Sequence, residues 1–177
     1  EAQVVRLTEE LRCARAAVQA SEEADAELKE RQHVKCIKNP LISVDLDAED
    51  HGWQKFGLPH QLAEVGLKIL SVGRLCAQKN QQEAIAAFVE FQKIEPDSVL
   101  LFVGEGQDHQ FLQNLCKSHA IESKVFFLSF TTRVFQLMKM CDVFLFTSKY
   151  EGSPNALVEA MSAGLICIAT DIRSGPS

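Results

Sequence analysis

The sequence predicts an α/β protein with a parallel sheet and helices on both faces. From Leu67 onward, short apolar runs alternate with amphipathic stretches of helical periodicity. The runs are continuously apolar, which is typical of strands that are buried on both faces. With 46% hydrophobic residues among 177, the chain can form one domain plus an appendage.

Five apolar runs are predicted as strands, and the stretches between them as helices. The strands are Leu67–Val72, Val99–Val103, Val125–Leu128, Val143–Phe146 and Leu165–Ala169. The helices are Gln81–Ile94, Gln107–His119, Arg133–Met140 and Ser153–Ala163. This order predicts right-handed crossovers between the parallel strands.

The first 32 residues differ from the rest because they are charged and rich in alanine. They predict two helices, or one helix and a break, with Ser21 as an N-cap where the pattern restarts. Val34–Ile37 could form a short strand. Asp45-Leu46-Asp47 is acidic and loop-like. This segment is interpreted as a solvated linker. The alternative is a site that holds a metal between the two carboxylates.

Composition excludes several classes of protein. The net charge of -6 argues against a nucleic-acid partner, which normally needs a basic surface. No apolar run approaches the roughly 20 residues of a membrane span. The six cysteines form no C-x-x-C pair and are interpreted as buried, reduced thiols of a cytoplasmic protein. The five histidines show no metal-ligand spacing.

Candidate binding residues follow the predicted strands, because ligands of open parallel sheets bind beyond the carboxyl ends of the strands. After the first strand come Gly73, Arg74 and Lys79, close to the start of a helix. Gly73 allows a sharp exit from the strand. Two cations and free helix amides suit a phosphate or diphosphate. Solvated loop cations remain the alternative at this stage.

The second strand leads to Gly104-Glu105-Gly106. Two glycines allow the backbone to approach a flat or bulky group such as a base or a ribose. The segment is not a full G-x-G-x-x-G, because His109 occupies the last glycine position, so a dinucleotide fingerprint is weak.

The loop and helix after the fourth strand carry two carboxylates. Gly152 frees the turn, Ser153 is predicted as the N-cap and Pro154 as the first helical residue. Glu159 lies within an apolar helix, where a carboxylate is costly to bury without hydrogen-bond donors. Its side chain therefore either contacts a ligand or is simply exposed. The polar candidates of this segment are Glu151, Asn155 and Glu159.

Together these segments resemble a known family. GRLCAQKN, VGEG and KYEGSPNALVEAMSAG occur in the order seen in retaining glycosyltransferases with two facing Rossmann-like domains, the GT-B architecture. Glu151 and Glu159 match the paired glutamates of that family, and ATDIRSGPS resembles the loop after the next strand. Asn80 departs from the pattern, since many members carry glycine there. The likeness extends over residues 20–177.

The resemblance implies a role for each candidate. Arg74 and Lys79 would bind the diphosphate of a nucleotide sugar in place of a metal, so neither a metal nor another cofactor is expected. Glu151 would be the catalytic residue, contacting hydroxyls of the donor sugar, and Glu159 would accept hydrogen bonds from the ribose. Gly73, Gly152, Ser153 and Asn155 would line the donor site, and Glu105 with the strand Val125–Leu128 would border the base.

The resemblance also implies a domain organisation. Residues 1–40 would be the helical tail of a preceding acceptor domain and the start of a linker, 41–66 the rest of the linker, and 67–177 an incomplete donor-binding domain. A glycan or lipid-linked acceptor would bind through the domain that precedes residue 20. The chain would therefore be inactive alone. The protein would be located in the cytoplasm or at the cytoplasmic face of a membrane. A binding module without turnover and a nucleotide-sugar epimerase remain as alternatives.

Overall fold

A computed structural model describes residues 2–28, 52–152 and 154–172 of the chain. The predicted strand at Val34–Ile37 and the D-x-D segment at 45–47 lie outside these residues. The helices are α1 (Ala2–Leu28), α2 (Gln81–Gln92), α3 (His109–Ser118), α4 (Val134–Met138) and α5 (Asn155–Ser162). The strands are β1 (Leu67–Val72), β2 (Ser98–Val103), β3 (Val125–Leu128), β4 (Val143–Phe146) and β5 (Ile166–Ala169).

In the described part of the chain the strands form a parallel sheet in the order β3-β2-β1-β4-β5. One face carries α1, α2 and α3, which bury Leu7, Phe88 and Leu112 against it. The opposite face carries α4 and α5, which contribute Leu137 and Ala160. The predicted α/β class, a parallel sheet with helices on both faces, is confirmed.

The strand β1 shows why the sheet needs apolar residues on both sides. Leu67 and Ile69 are fully buried in the core under α2, while Leu70 is fully buried in the core under α4 and α5. Side chains alternate between faces along a strand, so both parities must be apolar when both faces are covered. The continuous apolar runs in the sequence follow from this arrangement.

Residues 2–28 form one continuous helix, so the predicted break at Ser21 is wrong. Alanine and glutamate surround Ser21, and these strong helix formers outweigh the local preference of serine for a cap. Leu7 and Leu11 are buried in the same core as α2. This helix therefore shares its core with the sheet. The domain boundaries proposed at residues 40 and 66 stay predictions. Two short 3₁₀ helices lie before residue 66, at Trp53–Phe56 and His60–Glu64.

The helix α5 begins at Asn155 and not at the predicted Ser153. Pro154 has φ −81° and ψ 64°, which is not helical, so it precedes the helix instead of forming its first residue. Ser153, the predicted N-cap, lies outside the described residues.

Candidate functional site

The loops after β1 and β4 meet at the carboxyl edge of the sheet, and we call their junction the crevice. These two strands are neighbours, and Ile69 of β1 pairs with Val143 of β4. The helix after β1 lies on one face of the sheet and the helix after β4 lies on the other. A crevice opens at such a reversal of strand order, and it is where open α/β sheets bind their ligands.

Three hydrogen bonds join the two loops. The Thr147 hydroxyl donates to the carbonyl of Lys79 (3.0 Å), and the main-chain N–H of Lys149 donates to the carbonyl of Gln78 (2.8 Å). The side-chain amide of Gln78 in turn donates to the carbonyl of Tyr150 (3.0 Å). The backbone on both sides of the crevice is thus fixed in one relative position.

An ion pair bridges the crevice. The ammonium Nζ of Lys79 donates to the carboxylate Oε1 of Glu151 over 2.5 Å, although 72 residues separate them in sequence. The side chains are 19% and 8% exposed, so water screens the pair less than it would a surface pair. The ammonium also lies 5.7 Å from the ring centroid of Phe146, a favourable cation–π position.

Gly73 makes room for the stem of Lys79. A Cβ atom at this position would lie 3.0 Å from Cε and 3.2 Å from Cδ of Lys79. A larger residue at the exit of β1 would crowd the stem of Lys79, and the lysine would have to shift slightly. The φ of Gly73, 155°, is also one that other residues rarely adopt. This is the structural reason for the glycine that the sequence places before the two cations.

Asn80 adopts the left-handed conformation, with φ 53° and ψ 40°. Glycine is the usual residue for this conformation, and asparagine is among the few others that tolerate it. The side-chain amide of Asn80 donates to Glu83 Oε2 (3.2 Å), while the N–H of Glu83 donates to the carbonyl of Asn80 (3.0 Å). The departure from glycine thus preserves the backbone turn that follows Lys79.

Arg74 belongs to the same loop as Lys79 but is not part of the ion pair. Its side chain is exposed and makes no hydrogen bond or ion pair with any residue that the structure describes. Its carbonyl is held by the side-chain amide of Gln81 (2.8 Å). The crevice therefore contains one cation that is already paired and one that is available to an anion.

Gly104 and Gly106 allow close contact between two loops, and their predicted approach to a base or ribose stays a prediction. A Cβ at Gly104 would lie 2.1 Å from the carbonyl oxygen of Gly73, and a Cβ at Gly106 would lie 2.1 Å from that of Leu75. The two glycines thus let the loop after β2 contact the backbone of the loop after β1. Between them, the exposed Glu105 accepts a main-chain hydrogen bond from Leu75 (2.9 Å).

The remaining candidates lie at the start of α5. Glu159 is half-buried and has no side-chain hydrogen bond to any described residue, and Asn155 lies one helical turn before it and is exposed. Gly152 is exposed, and a Cβ there would meet nothing within 4 Å. The structure thus brings Lys79 into contact with Glu151 and against Gly73, and it places Glu159 on the helix that follows.

Sequence reasoning missed the residues that connect the loops. Gln78, Phe146 and Thr147 contact Lys79 or its neighbours, but glutamine, phenylalanine and threonine carry no binding signal of their own in a sequence. Within the ranges 2–28, 52–152 and 154–172, no group of three or more His, Cys, Asp or Glu side chains is placed to hold a metal ion. None of the described helices is long and apolar enough to cross a membrane.

The sequence profile of the glycosyl transferases group 1 family matches residues 59–177. This chain belongs to that family. The matched region includes both loops of the crevice and all the candidate residues named above. The predicted membership in a glycosyltransferase family is therefore confirmed.

Two curated relatives of the group 1 chain act on diphospho-undecaprenol-linked glycans, as their names state. The N-acetylgalactosamine-N,N'-diacetylbacillosaminyl-diphospho-undecaprenol 4-alpha-N-acetylgalactosaminyltransferase of Campylobacter jejuni is 35% identical over 117 residues, 64% of this chain and 31% of the relative. The UDP-Gal:alpha-D-GlcNAc-diphosphoundecaprenol alpha-1,3-galactosyltransferase of Escherichia coli is 36% identical over 106 residues, 58% of this chain and 27% of the relative. The chain spans 26% to 31% of the length of the curated relatives it matches.

Solved structures of glycosyltransferases share the fold. The lipopolysaccharide outer core galactosyltransferase WaaB, in its apo form, superposes with a TM-score of 0.54 and 28% identity, over 62% of this group 1 chain and 32% of that one. The structural neighbours are GT-B glycosyltransferases, so the Rossmann-like architecture predicted for the sheet domain is confirmed.

Proposed function

We propose that this chain is the nucleotide-sugar-binding part of an enzyme that transfers a hexose from a nucleoside diphosphate sugar to an acceptor hydroxyl, with retention at the anomeric carbon. The position of Lys79 and Glu151 carries this proposal. A cation suited to phosphate and a carboxylate suited to sugar hydroxyls lie together at the reversal of strand order, in a member of glycosyl transferases group 1.

The proposed chemistry follows from the charges in the crevice. Departure of the nucleoside diphosphate leaves negative charge on the phosphate oxygens, and Arg74 and Lys79 stabilise it most strongly as it develops. These two cations take the place of a metal ion, so no metal or other cofactor is part of the proposal. Glu151 contacts the hydroxyls of the transferred sugar, and Glu159 accepts hydrogen bonds from the ribose.

The names of relatives guide the choice of substrates. The Escherichia coli relative is named for a UDP-linked galactose donor and a diphosphoundecaprenol-linked acceptor. We propose a UDP-hexose as donor and a glycan or lipid-linked glycan as acceptor, bound with the help of protein outside this chain.

Two alternatives to the transferase were a binding module without turnover and a nucleotide-sugar epimerase. A nucleotide-sugar-binding module without turnover stays an alternative to this proposal. It differs from the main proposal only in the absence of sugar release. The comparisons give no support to the epimerase.

Ligand-observed NMR with UDP, GDP and ADP tests the proposal on the 177-residue chain. We expect one nucleotide, UDP first, to show saturation transfer to its ribose and base protons. Addition of the matching UDP-hexose then displaces it. A folded chain that binds none of the three nucleotides contradicts the proposal. Release of UDP from the UDP-hexose on long incubation contradicts the module without turnover. Any released hexose is examined by proton NMR for the anomeric configuration that retention requires.

A further inference from the structure

We propose that Glu151 acts as an internal counter-ion, which occupies Lys79 in the donor-free chain and makes the site select a nucleoside diphosphate sugar over a nucleoside diphosphate without sugar. This inference rests on the proposed function, and it goes beyond it by assigning a specificity to the Lys79–Glu151 ion pair. It concerns what the crevice binds, independent of the acceptor.

The ion pair is held in place from both sides of the crevice. The carbonyl of Lys79 accepts a hydrogen bond from Thr147, and the peptide before Glu151 accepts one from Gln78. The ammonium contacts the carboxylate at 2.5 Å, and the lysine stem lies against Gly73. A cation held in this way is already neutralised where a diphosphate would need it.

An arriving diphosphate competes with Glu151 for the same ammonium. Its oxygens must share or replace the carboxylate, and two anions then face each other across one lysine. The Glu151 side chain is 8% exposed, and Lys79 is the donor that the structure records for it within the described residues. A buried carboxylate that loses its partner is strongly destabilised.

Sugar hydroxyls can remove this penalty, because they donate hydrogen bonds to the carboxylate in place of the ammonium. A nucleoside diphosphate without sugar brings the same phosphate charge but no such donors. The exchange is therefore favourable for an intact donor and unfavourable for the spent nucleotide. Selectivity arises here from a cost imposed on the wrong ligand rather than from a new contact with the right one. The group-transfer product would accordingly leave the crevice more readily than the donor.

Arg74, unlike Lys79, has no counter-ion among the described residues. Its side chain is exposed and makes no hydrogen bond or ion pair with the part of the chain that the structure describes, so a phosphate can reach it without breaking such a contact. Arg74 thus binds donor and spent nucleotide alike. The discrimination resides in the ion pair.

Titration with inorganic pyrophosphate tests the counter-ion directly, because pyrophosphate carries neither base nor sugar. We expect Glu151→Gln to bind pyrophosphate roughly ten-fold more tightly than the unaltered chain, within the range set by a charge-assisted hydrogen bond. Glu122→Gln removes the same charge at an exposed position before β3, at the opposite edge of the sheet, and should change the affinity less than about two-fold. Equal or weaker binding by Glu151→Gln overturns the inference.

Two further variants keep the test decisive. Glu151→Asp retains the charge but withdraws it by one methylene, and it should tighten pyrophosphate binding in the same direction by a smaller factor. If Glu151→Gln does not fold, the aspartate variant decides, and unchanged affinity there overturns the inference. Lys79→Ala must bind pyrophosphate more weakly than the unaltered chain, whereas equal affinity would show that the lysine is not the contested cation.

Nucleotide titrations separate this inference from the proposed function. The unaltered chain should prefer a UDP-hexose over UDP, and Glu151→Gln should lose that preference because its affinity for UDP rises. If pyrophosphate binding tightens as expected but UDP binds no better than pyrophosphate, the counter-ion stands and the proposed nucleotide function fails. If UDP binds well and Glu151→Gln leaves both its affinity and that of pyrophosphate unchanged, the function stands and the counter-ion fails.

Discussion

The side-chain amide of Gln78 donates a hydrogen bond to the main-chain carbonyl of Tyr150 over 3.0 Å, so the loop after β1 holds the loop after β4. The acceptor belongs to the peptide that precedes Glu151. A side chain with no predicted role thereby fixes the position of the carboxylate that faces Lys79.

Replacing Gln78 by alanine should weaken donor binding without unfolding the chain. Loss of one hydrogen bond contributes about 0.5–1.5 kcal/mol, which corresponds to a two- to ten-fold weaker affinity for a UDP-hexose. Calorimetric titration measures this change. Gln82→Ala is the matched control, because Gln82 is an exposed residue in the first turn of α2 and should leave the affinity unaltered. Equal effects of both variants would show that the contact with Tyr150 does not position the site.

Glu159→Ala should weaken binding of uridine as well as UDP, because its proposed partner is the ribose and not the phosphate. Hydrogen bonds to a charged acceptor contribute about 1.5–3 kcal/mol, and the half-burial of Glu159 places the expected loss near the lower end. Titration with uridine, which carries no phosphate, measures the contribution of the ribose hydrogen bonds separately. The Lys79→Ala variant serves as the contrast, since it should lose UDP affinity but keep its affinity for uridine. Unchanged uridine binding by Glu159→Ala would refute the ribose role.

Gly106→Ala should destabilise the fold, because its Cβ would lie 2.1 Å from the carbonyl oxygen of Leu75. Forcing such an overlap apart costs about 1–3 kcal/mol. Gly152→Ala is matched to it, since a Cβ there would meet nothing within 4 Å. Thermal unfolding followed by circular dichroism should show a lower Tm for the first variant and little change for the second. Similar Tm values for both would mean that the loop after β2 does not contact the loop after β1 as described.

The thiols should differ in reactivity in the folded chain. Cys13 is exposed, whereas burial, followed by the charge of Glu122, raises the pKa of Cys116 to about 11, and burial also raises the pKa of Cys141. Because the thiolate is the reactive form, iodoacetamide at pH 8 should label Cys13 quickly and the other two only after unfolding. Peptide mass mapping measures the extent of labelling. Fast labelling of Cys141 in folded protein would contradict its burial.

The raised pKa of Cys116 also makes the stability of the fold depend on pH. The folded pKa of Cys116 lies above the unfolded value of about 8.5, so its contribution is complete below that pH and is lost as the pH rises toward about 11. Urea unfolding at pH 7 and pH 10 should therefore show a smaller free energy of unfolding at the higher pH. The difference should shrink in Cys116→Ala, and an equal difference in that variant would assign the loss to other groups.

The strands could be predicted closely from sequence, whereas helix ends and capping residues could not. Strands such as β3 and β4 coincide with the apolar runs because two covered faces demand apolar residues at every position. The start of α5 differs by two residues because Pro154 takes a non-helical ψ that composition does not reveal. The continuity of α1 through Ser21 likewise depends on its neighbours and not on serine itself.

The candidate site was predictable residue by residue but not in its contacts. Gly73, Arg74, Lys79 and Glu151 could be identified from their positions after strands, because parallel strands gather those positions at one edge. That Lys79 pairs with Glu151 depends on the adjacency of β1 and β4, and strand order is not written in local sequence. The contacts of Gly104 and Gly106 could not be predicted for the same reason, since the atoms they approach belong to a loop about 30 residues earlier in the chain.

Calorimetric titration of UDP into the 177-residue chain and into the Arg74→Ala/Lys79→Ala double variant tests whether Arg74 and Lys79 bind a diphosphate. Each lost charge-assisted contact should weaken diphosphate binding by about 1.5–3 kcal/mol, so the double variant should show no measurable binding at concentrations that saturate the unaltered chain. Circular dichroism of both proteins confirms that the fold is retained. Binding that is lost in the folded double variant agrees with a diphosphate site in the crevice between β1 and β4. Equal binding by both proteins would contradict it and place any nucleotide elsewhere on the chain.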